Sequence, residues 1–83
     1  MKIQVRYFAS IREALGAGET IEVRAGATVG EVRDQLIASS PAHTSALTRS
    51  KALRCALNQA LCDESTGVTD GAEMAFFPPV TGG

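Results

Sequence analysis

The sequence predicts a single domain of the α+β class, and three observations lead to this fold class. Two segments near the start alternate apolar with polar residues, as half-buried strands do. A helix pattern with a clear N-terminal cap follows them, and further strand-like segments lie near the end. A chain of 83 residues has room for one such domain with a modest core.

The first predicted strand is KIQVRYF, residues 2–8. Its alternation places Ile3, Val5 and Tyr7 on one face, which we expect to point into the core. Phe8 ends the strand on the otherwise polar face, so an aromatic side chain is expected at the surface there.

A short turn of helix is predicted between the first two strands, because Ile11 and Leu15 lie four residues apart. The glycines within residues 16–18 end it. The second strand follows in ETIEVRA, where Ile21 and Val23 point inward. Because few residues separate the two strands, we expect a hairpin with an elaborated loop.

The clearest helix pattern is AGATVGEVRDQLIASSP, residues 25–41. Thr28 is a favourable N-cap, and Glu31 three residues later predicts a capping box. Pro41 is expected to end the helix, whereas Gly30 in the first turn has no explanation at this level. The apolar stripe comprises Val29, Val32, Leu36 and Ile37.

Shorter elements are predicted in the second half of the chain. Residues 42–50 are expected to form a loop or a single helical turn. Alternation over residues 53–57 indicates a strand, and residues 58–59 can turn the chain into a short returning strand over residues 60–62. The segment DESTGVTDG is rich in turn residues and ends near an Asp-Gly pair, a strong signal for a tight turn.

The last predicted strand, AEMAFF, completes the fold. Its alternation gives Met74 and Phe76 one face, expected in the core, and leaves Phe77 on the outward face. The element order is a hairpin that crosses to a helix and returns to a sheet. This order indicates a β-grasp roll, with a mixed sheet of four to five strands packed on one main helix.

Composition and charge exclude several classes of function. The apolar fraction is 45% and the charged fraction 20%, typical of a soluble globular domain. A formal net charge of -1 predicts neither nucleic-acid nor membrane binding. We expect a cytoplasmic protein, since no secretory signal is evident and the cysteines, Cys55 and Cys62, are too few for a secreted disulfide scaffold.

The side chains do not predict a stand-alone enzyme. The lone histidine, His43, falls in a predicted loop and is expected to be solvated. Cys55 alternates with leucines and is expected to be a core thiol. No metal-ligand spacing and no glycine-rich phosphate loop are present, so we expect no cofactor and no metal bound by this chain.

The ending of the chain, VTGG after two prolines, is the unusual feature. Pro78 and Pro79 end ladder pairing and favour an extended exit. Gly82 and Gly83 lack a Cβ, which suits a backbone that threads a narrow channel. We therefore divide the chain into a domain over residues 1–77 and a flexible tail over 78–83, whose reacting group would be the α-carboxylate of Gly83.

A docking surface is predicted beside this tail. Phe77 on the outward face, Phe8 and the short strand bearing Leu61 could form an apolar patch. Such patches mark partner surfaces.

Four stretches of the sequence carry a family resemblance: YFASIREALG, TVGEVRDQL, LNQ and TDGAEMAFFPPVTGG. The chain resembles the small, sulfur-carrier subunits of molybdopterin synthase, which are ubiquitin-related β-grasp proteins. The ending FFPPVTGG is the most specific part of this resemblance, and residues 38–52 contribute least to it.

The resemblance implies a mechanism in which Gly83 is the covalent carrier. An adenylating enzyme related to the ubiquitin activators would convert the Gly83 carboxylate to an acyl adenylate with ATP and magnesium. A sulfur donor protein would then leave a thiocarboxylate on Gly83. The sulfur would pass to cyclic pyranopterin monophosphate and build the dithiolene that later holds molybdenum.

The resemblance also implies partners and contact residues. A large subunit would supply the catalytic side chains, in a heterotetramer of two small and two large subunits, so that this chain is a sulfur-donating subunit. The segment Pro78, Pro79, Val80, Thr81 and Gly82 would enter the partner's active site. The docking residues would be Phe8, Leu61 and Phe77.

Three alternatives remain at this point. The sulfur carrier of thiamine thiazole synthesis also ends in two glycines, although the preceding Phe-Phe-Pro-Pro favours the molybdopterin branch. A protein modifier would be joined through Gly83 to lysines of its targets, and a plain binding module would have an inert tail. The fate of Gly83 separates a carrier from a modifier: a thiocarboxylate for the former, a stable isopeptide bond for the latter.

Overall fold

The computed structural model describes residues 1–79, within which the chain forms five strands and three helices. The strands are β1 (Lys2–Tyr7), β2 (Gly18–Glu22), β3 (Arg54–Leu57), β4 (Ala60–Cys62) and β5 (Glu73–Phe77). The helices are α1 (Ala9–Leu15), α2 (Val29–Ile37) and α3 (Pro41–Leu47).

The strands form one mixed sheet in the order β2-β1-β5-β3-β4. β1 pairs with β2 in antiparallel and with β5 in parallel orientation, while β3 pairs antiparallel with both β5 and β4. The first and last strands of the chain therefore lie side by side in the sheet. This topology confirms the predicted β-grasp roll.

The core lies between the helices and one face of the sheet, which we call the inner face. Along β1, burial alternates as predicted, with Ile3, Val5 and Tyr7 buried. In β5, Met74 and Phe76 are buried as predicted. The helices contribute Ile11, Val29, Val32, Leu36, Ala46 and Leu47 to the same apolar cluster.

Helix α2 begins at the predicted cap, and Thr28 and Glu31 contact each other there. The Thr28 hydroxyl oxygen accepts a hydrogen bond from the Glu31 backbone N–H at 3.2 Å. The Glu31 carboxylate accepts a hydrogen bond from the Thr28 hydroxyl at 3.5 Å and two from the guanidinium of Arg24, at 2.8 and 2.7 Å. The charged partner on the preceding segment makes the shorter hydrogen bonds to this carboxylate.

The expectation of a loop or a single turn after α2 was too short, because residues 41–47 form a helix of their own. Pro41 does not end α2, which stops at Ile37; it occupies the first turn of α3. A proline with no N–H to donate is well suited to that position. Ser40 caps α3 by accepting from the His43 N–H at 3.1 Å.

Strand β2 starts and ends earlier than the alternation predicted. It begins at Gly18 and ends at Glu22, although Val23 is still buried as expected. The Val23 N–H donates to the Met1 carbonyl at 2.8 Å, so backbone contact with the first residue continues past the strand.

The segment after α3 is organised by a buried arginine that no sequence pattern indicated. Arg33 is only 3% exposed. Its guanidinium donates to the carbonyl oxygens of Leu47, Thr48 and Lys51 at 2.7–3.0 Å. It also donates to the Glu64 carboxylate at 2.7 Å, so one side chain joins α2 to two loops.

The close packing of residue 64 against α2 explains why position 30 is a glycine. Its N–H donates to the Glu64 carbonyl at 2.9 Å, and a Cβ at this position would lie 3.2 Å from that oxygen. The glycine thus allows residue 64 to approach the first turn of α2 closely.

Candidate functional site

The face of the sheet opposite the helices carries the exposed apolar residues of the predicted docking surface. Phe8 is 41% exposed and Leu61 is 65% exposed, as expected. Phe77 lies on this outer face, as the alternation predicted, but its side chain is half-buried rather than open.

The strand register brings these three residues into one strip. Tyr7 pairs with Phe76, so Phe8, the residue that follows β1 and caps α1, comes next to the position of Phe77 in β5. Farther along β5, Ala75 lies opposite Ala56 of β3, and Ala56 lies opposite Leu61 of β4. The two alanines, of which Ala75 is half-buried and Ala56 is buried, lie between the aromatic end and Leu61 in the register.

We call this surface the outer-face strip; it comprises Phe8, Phe77, Ala75, Ala56 and Leu61. The alanines were not predicted as part of it, since small residues give no signal without the register. Arg6 and Arg54 border the strip at register positions opposite Ala75 and Phe77. Arg6 also pairs with the Glu73 carboxylate at 3.5 Å. The strip is thus apolar, with the Arg6–Glu73 ion pair and Arg54 at its margin.

The base of the tail lies beside a groove on the helix side of the molecule. Pro78 is half-buried and Pro79 exposed. Together with Ile11, Ala46, Leu53 and Lys51, they line a groove of about 470 Å³. The predicted roles of Val80, Thr81, Gly82 and Gly83 lie outside the described residues.

His43 is not the solvated loop residue that the sequence predicted. It lies in α3, and its Nε2 is 2.7 Å from the Glu19 carboxylate while its Nδ1 is 2.7 Å from the Ser40 hydroxyl. The Tyr7 hydroxyl donates to the same Glu19 oxygen at 2.7 Å. The cluster therefore ties α3 to β1 and β2.

Burial alone would raise the pKa of Glu19, but hydrogen bonds from His43 and Tyr7 outweigh it and lower that pKa. Burial, followed by the contact with Glu19, raises the pKa of Tyr7. Neither shift creates a group poised for acid–base chemistry near neutral pH. We interpret the cluster as structural.

The cysteines lie at the other end of the sheet. Cys55 is buried in the apolar cluster, as predicted, and Cys62 is half-buried. Burial, with the neighbouring Cys62 thiol, raises the pKa of Cys55 to about 12. A thiol with so high a pKa is a poor nucleophile at neutral pH.

Residues 1–79 contain neither a metal-binding cluster nor a membrane-spanning helix. No group of three or more histidine, cysteine or acidic side chains in this part of the chain could hold a metal ion. None of its helices has the length and apolarity needed to cross a membrane.

The fold and the tail define a class of protein. The sequence model of the ThiS family matches residues 5–83, and the chain belongs to this family. Curated relatives of nearly equal length carry a more particular description. The molybdopterin synthase sulfur carrier subunit of Escherichia coli (strain K12) is 42% identical over 81 residues, covering 98% of this chain and 99% of the relative.

A second relative carries the same description. The molybdopterin synthase sulfur carrier subunit of Mycobacterium tuberculosis is 38% identical over 85 residues, covering 100% of this chain and 99% of the relative. These matches place the chain with the molybdopterin synthase sulfur carrier subunits. They favour neither the thiamine branch nor the protein modifier.

Solved structures share the fold. Small archaeal modifier protein 1 of Haloferax volcanii superposes with a TM-score of 0.77 at 26% identity, covering 95% of this chain and 98% of that chain. A second solved structure is the complex of subunits 1 and 2 of the molybdopterin-converting factor from Helicobacter pylori. One of its chains superposes with a TM-score of 0.69 at 27% identity, covering 100% of both chains. The fold alone does not separate a carrier from a modifier.

Proposed function

We propose that this chain carries sulfur as a thiocarboxylate on Gly83 and donates it in molybdopterin synthesis. The observation that carries the proposal is the match over nearly the whole chain to relatives described as molybdopterin synthase sulfur carrier subunits. The sequence of the tail supports it, since Gly82 and Gly83 lack a Cβ and so suit a backbone that threads a narrow channel.

The chemistry at Gly83 requires activation, because a carboxylate is a poor electrophile. The carboxylate attacks the α-phosphate of ATP on an adenylating enzyme, and pyrophosphate leaves. Sulfur at the oxidation level of sulfide, supplied by a sulfur donor protein, then attacks the acyl carbon; the bond to AMP breaks, AMP leaves, and the thiocarboxylate remains on Gly83. In the synthase the sulfur passes to cyclic pyranopterin monophosphate, and two such transfers form the dithiolene.

The outer-face strip is our candidate for docking on the large subunit. An exposed apolar surface on a small domain is typical of partner recognition. Its margin includes Arg54 and the Arg6–Glu73 ion pair, so a complementary partner surface would be apolar with an acidic group facing Arg54. The complex of subunits 1 and 2 described for Helicobacter pylori supports such a partner.

The tail would enter the partner's active site while the globular domain docks outside it. Strand β5 ends at Phe77, and Pro78 and Pro79 follow at once. Prolines restrict the backbone, so less conformational entropy is lost when the segment is ordered in a channel. The two glycines would allow close approach of the channel walls.

Deletion of Gly83 tests the carrier role. The truncated chain should keep its circular dichroism spectrum and its affinity for the large subunit, because the outer-face strip is unchanged. Dithiolene formation should fall to background, since the reacting carboxylate would be misplaced by one residue. The control is Glu13→Gln on the exposed face of α1, which lies outside both the tail and the outer-face strip and should retain sulfur transfer. Normal transfer by the truncated chain would overturn the proposal.

Intact-mass measurement distinguishes a carrier from a modifier. The chain is incubated with the adenylating enzyme, ATP and a sulfur source. A carrier gains the mass difference between sulfur and oxygen, whereas a modifier accumulates as isopeptide conjugates on lysines. Conjugates without any thiocarboxylate would favour the modifier.

A further inference from the structure

Two thiols face each other across the hairpin at the edge of the sheet. Cys55 of β3 and Cys62 of β4 are direct partners in the antiparallel register. Their Sγ atoms are 3.6 Å apart, and both cysteines are free. Directly opposed residues in antiparallel strands have Cα atoms about 4.5–5.5 Å apart, which falls within the span of a disulfide.

We propose that Cys55 and Cys62 are a modification site that forms a reversible intrachain disulfide on exposure to a small-molecule disulfide. The sulfurs would need to approach from 3.6 Å to about 2.05 Å. The backbone register already holds the two Cβ atoms on the same face of the hairpin, so side-chain rotation supplies most of this movement.

The reaction starts at Cys62, because its side chain is half-buried whereas Cys55 is buried. The Cys62 thiolate attacks one sulfur of oxidised glutathione, and one glutathione leaves as the thiol. The Cys55 thiolate then attacks Sγ of Cys62 and expels the second glutathione. Two protein thiols are oxidised to one disulfide while one glutathione disulfide is reduced to two thiols, which take up the two protons.

The raised pKa of Cys55 makes the second step the slower one. Both thiols stay reduced in a compartment rich in reduced glutathione, and the disulfide forms when that balance shifts. Its structural effect is local: β4 is a three-residue strand at the sheet edge, paired only with β3 among the described strands. The disulfide would fix this strand to β3.

The test uses the full chain and oxidised glutathione at neutral pH, followed by alkylation with iodoacetamide and intact-mass measurement without reduction. We expect a chain lighter by two hydrogen atoms and carrying no alkyl group. Cleavage by chymotrypsin after Leu57 should leave two peptides joined through Cys55 and Cys62. Dithiothreitol should restore two thiols that can be alkylated.

Single variants test the order of the steps. Cys55→Ala should accumulate glutathione on Cys62 as a stable mixed disulfide, because no second thiol is present to expel it. Cys62→Ala should remain largely unmodified, since Cys55 is buried. The proposal is overturned if the natural chain retains glutathione on Cys62 or keeps two thiols open to alkylation. It is also overturned if Cys55 in Cys62→Ala reacts as fast as Cys62.

Discussion

At the scale of single residues, two adjacent phenylalanines have opposite environments. Phe76 is 1% exposed and packs in the core, whereas Phe77 lies half-buried on the outer-face strip. The difference in burial follows from alternation along β5, because successive side chains of a strand point to opposite faces. One residue therefore supports the fold, and its neighbour is available to a partner.

The two phenylalanines predict opposite consequences of truncation. Phe77→Ala should weaken binding to the large subunit at least tenfold, a change of about 1.4 kcal/mol, with little loss of stability. Phe76→Ala should cost about 3–5 kcal/mol of unfolding free energy, because it leaves a cavity in the core. Denaturant unfolding and titration with the large subunit measure the two effects separately.

The reverse pattern would contradict the assigned faces. If Phe77→Ala were the strongly destabilising variant, the half-buried ring would belong to the core. The outer-face strip would then have to be redrawn around Phe8 and Leu61.

At the scale of elements, the hairpin of β1 and β2 depends on a close approach of two backbones. Gly18 begins β2 opposite Arg6 of β1. A Cβ at Gly18 would overlap the carbonyl oxygen of Val5. The segment Gly-Ala-Gly ends α1, as its sequence suggests. Its last glycine has a second role, because the pairing of β1 with β2 requires a residue without a Cβ there.

Gly18→Ala should accordingly destabilise the protein by about 2–4 kcal/mol, since backbone atoms cannot move aside as a flexible side chain can. The matched control is Gly67→Ala, where a Cβ meets no atom within 4 Å. That control should stay within about 0.5 kcal/mol of the natural chain. Equal unfolding midpoints for the two variants would show that β2 can shift away from β1 without cost.

At the scale of the whole molecule, charged side chains connect segments that are distant in sequence. Glu64 accepts hydrogen bonds from Arg33 of α2 and from Arg49 in the loop after α3. Arg49 also pairs with Asp34 at 2.8 Å. Burial tends to raise the pKa of Glu64, but the contacts with Arg49 and Arg33 dominate and lower it.

This lowered pKa predicts how stability depends on pH. A carboxylate whose pKa is lower in the folded than in the unfolded protein stabilises the fold above its ordinary pKa, near 4.3, and loses that effect as pH falls. Glu64→Gln should therefore lower the unfolding free energy at pH 7 by about 1–2 kcal/mol, a modest value because Glu64 is partly exposed to solvent.

The natural chain and the variant should converge in stability as pH falls below about 4. Urea unfolding at several pH values between 7 and 3 measures this convergence. Glu13→Gln on the exposed face of α1 provides the control and should leave the profile unchanged. A gap between the Glu64→Gln and natural chains that stays constant with pH would contradict a role for the Glu64 charge.

The fold and much of the candidate site could be predicted because their signals are local. Alternation identifies the inner face of β1 and β5, and Thr28 fixes the start of α2. The tail is also a local pattern, so Gly83 stands out from the sequence alone. The same alternation places Phe8 at the surface and Phe77 on the outward face.

Local patterns in the sequence thus specify each element's type, its buried face and the chemistry of the tail. Which residues meet across long separations is settled only by tertiary packing. Arg33 reaches the carbonyl oxygens after α3, and His43 meets Glu19 across 24 residues. The alanines of the outer-face strip likewise depend on register. Such contacts follow from how the elements pack against one another, and no local period in the sequence encodes that packing.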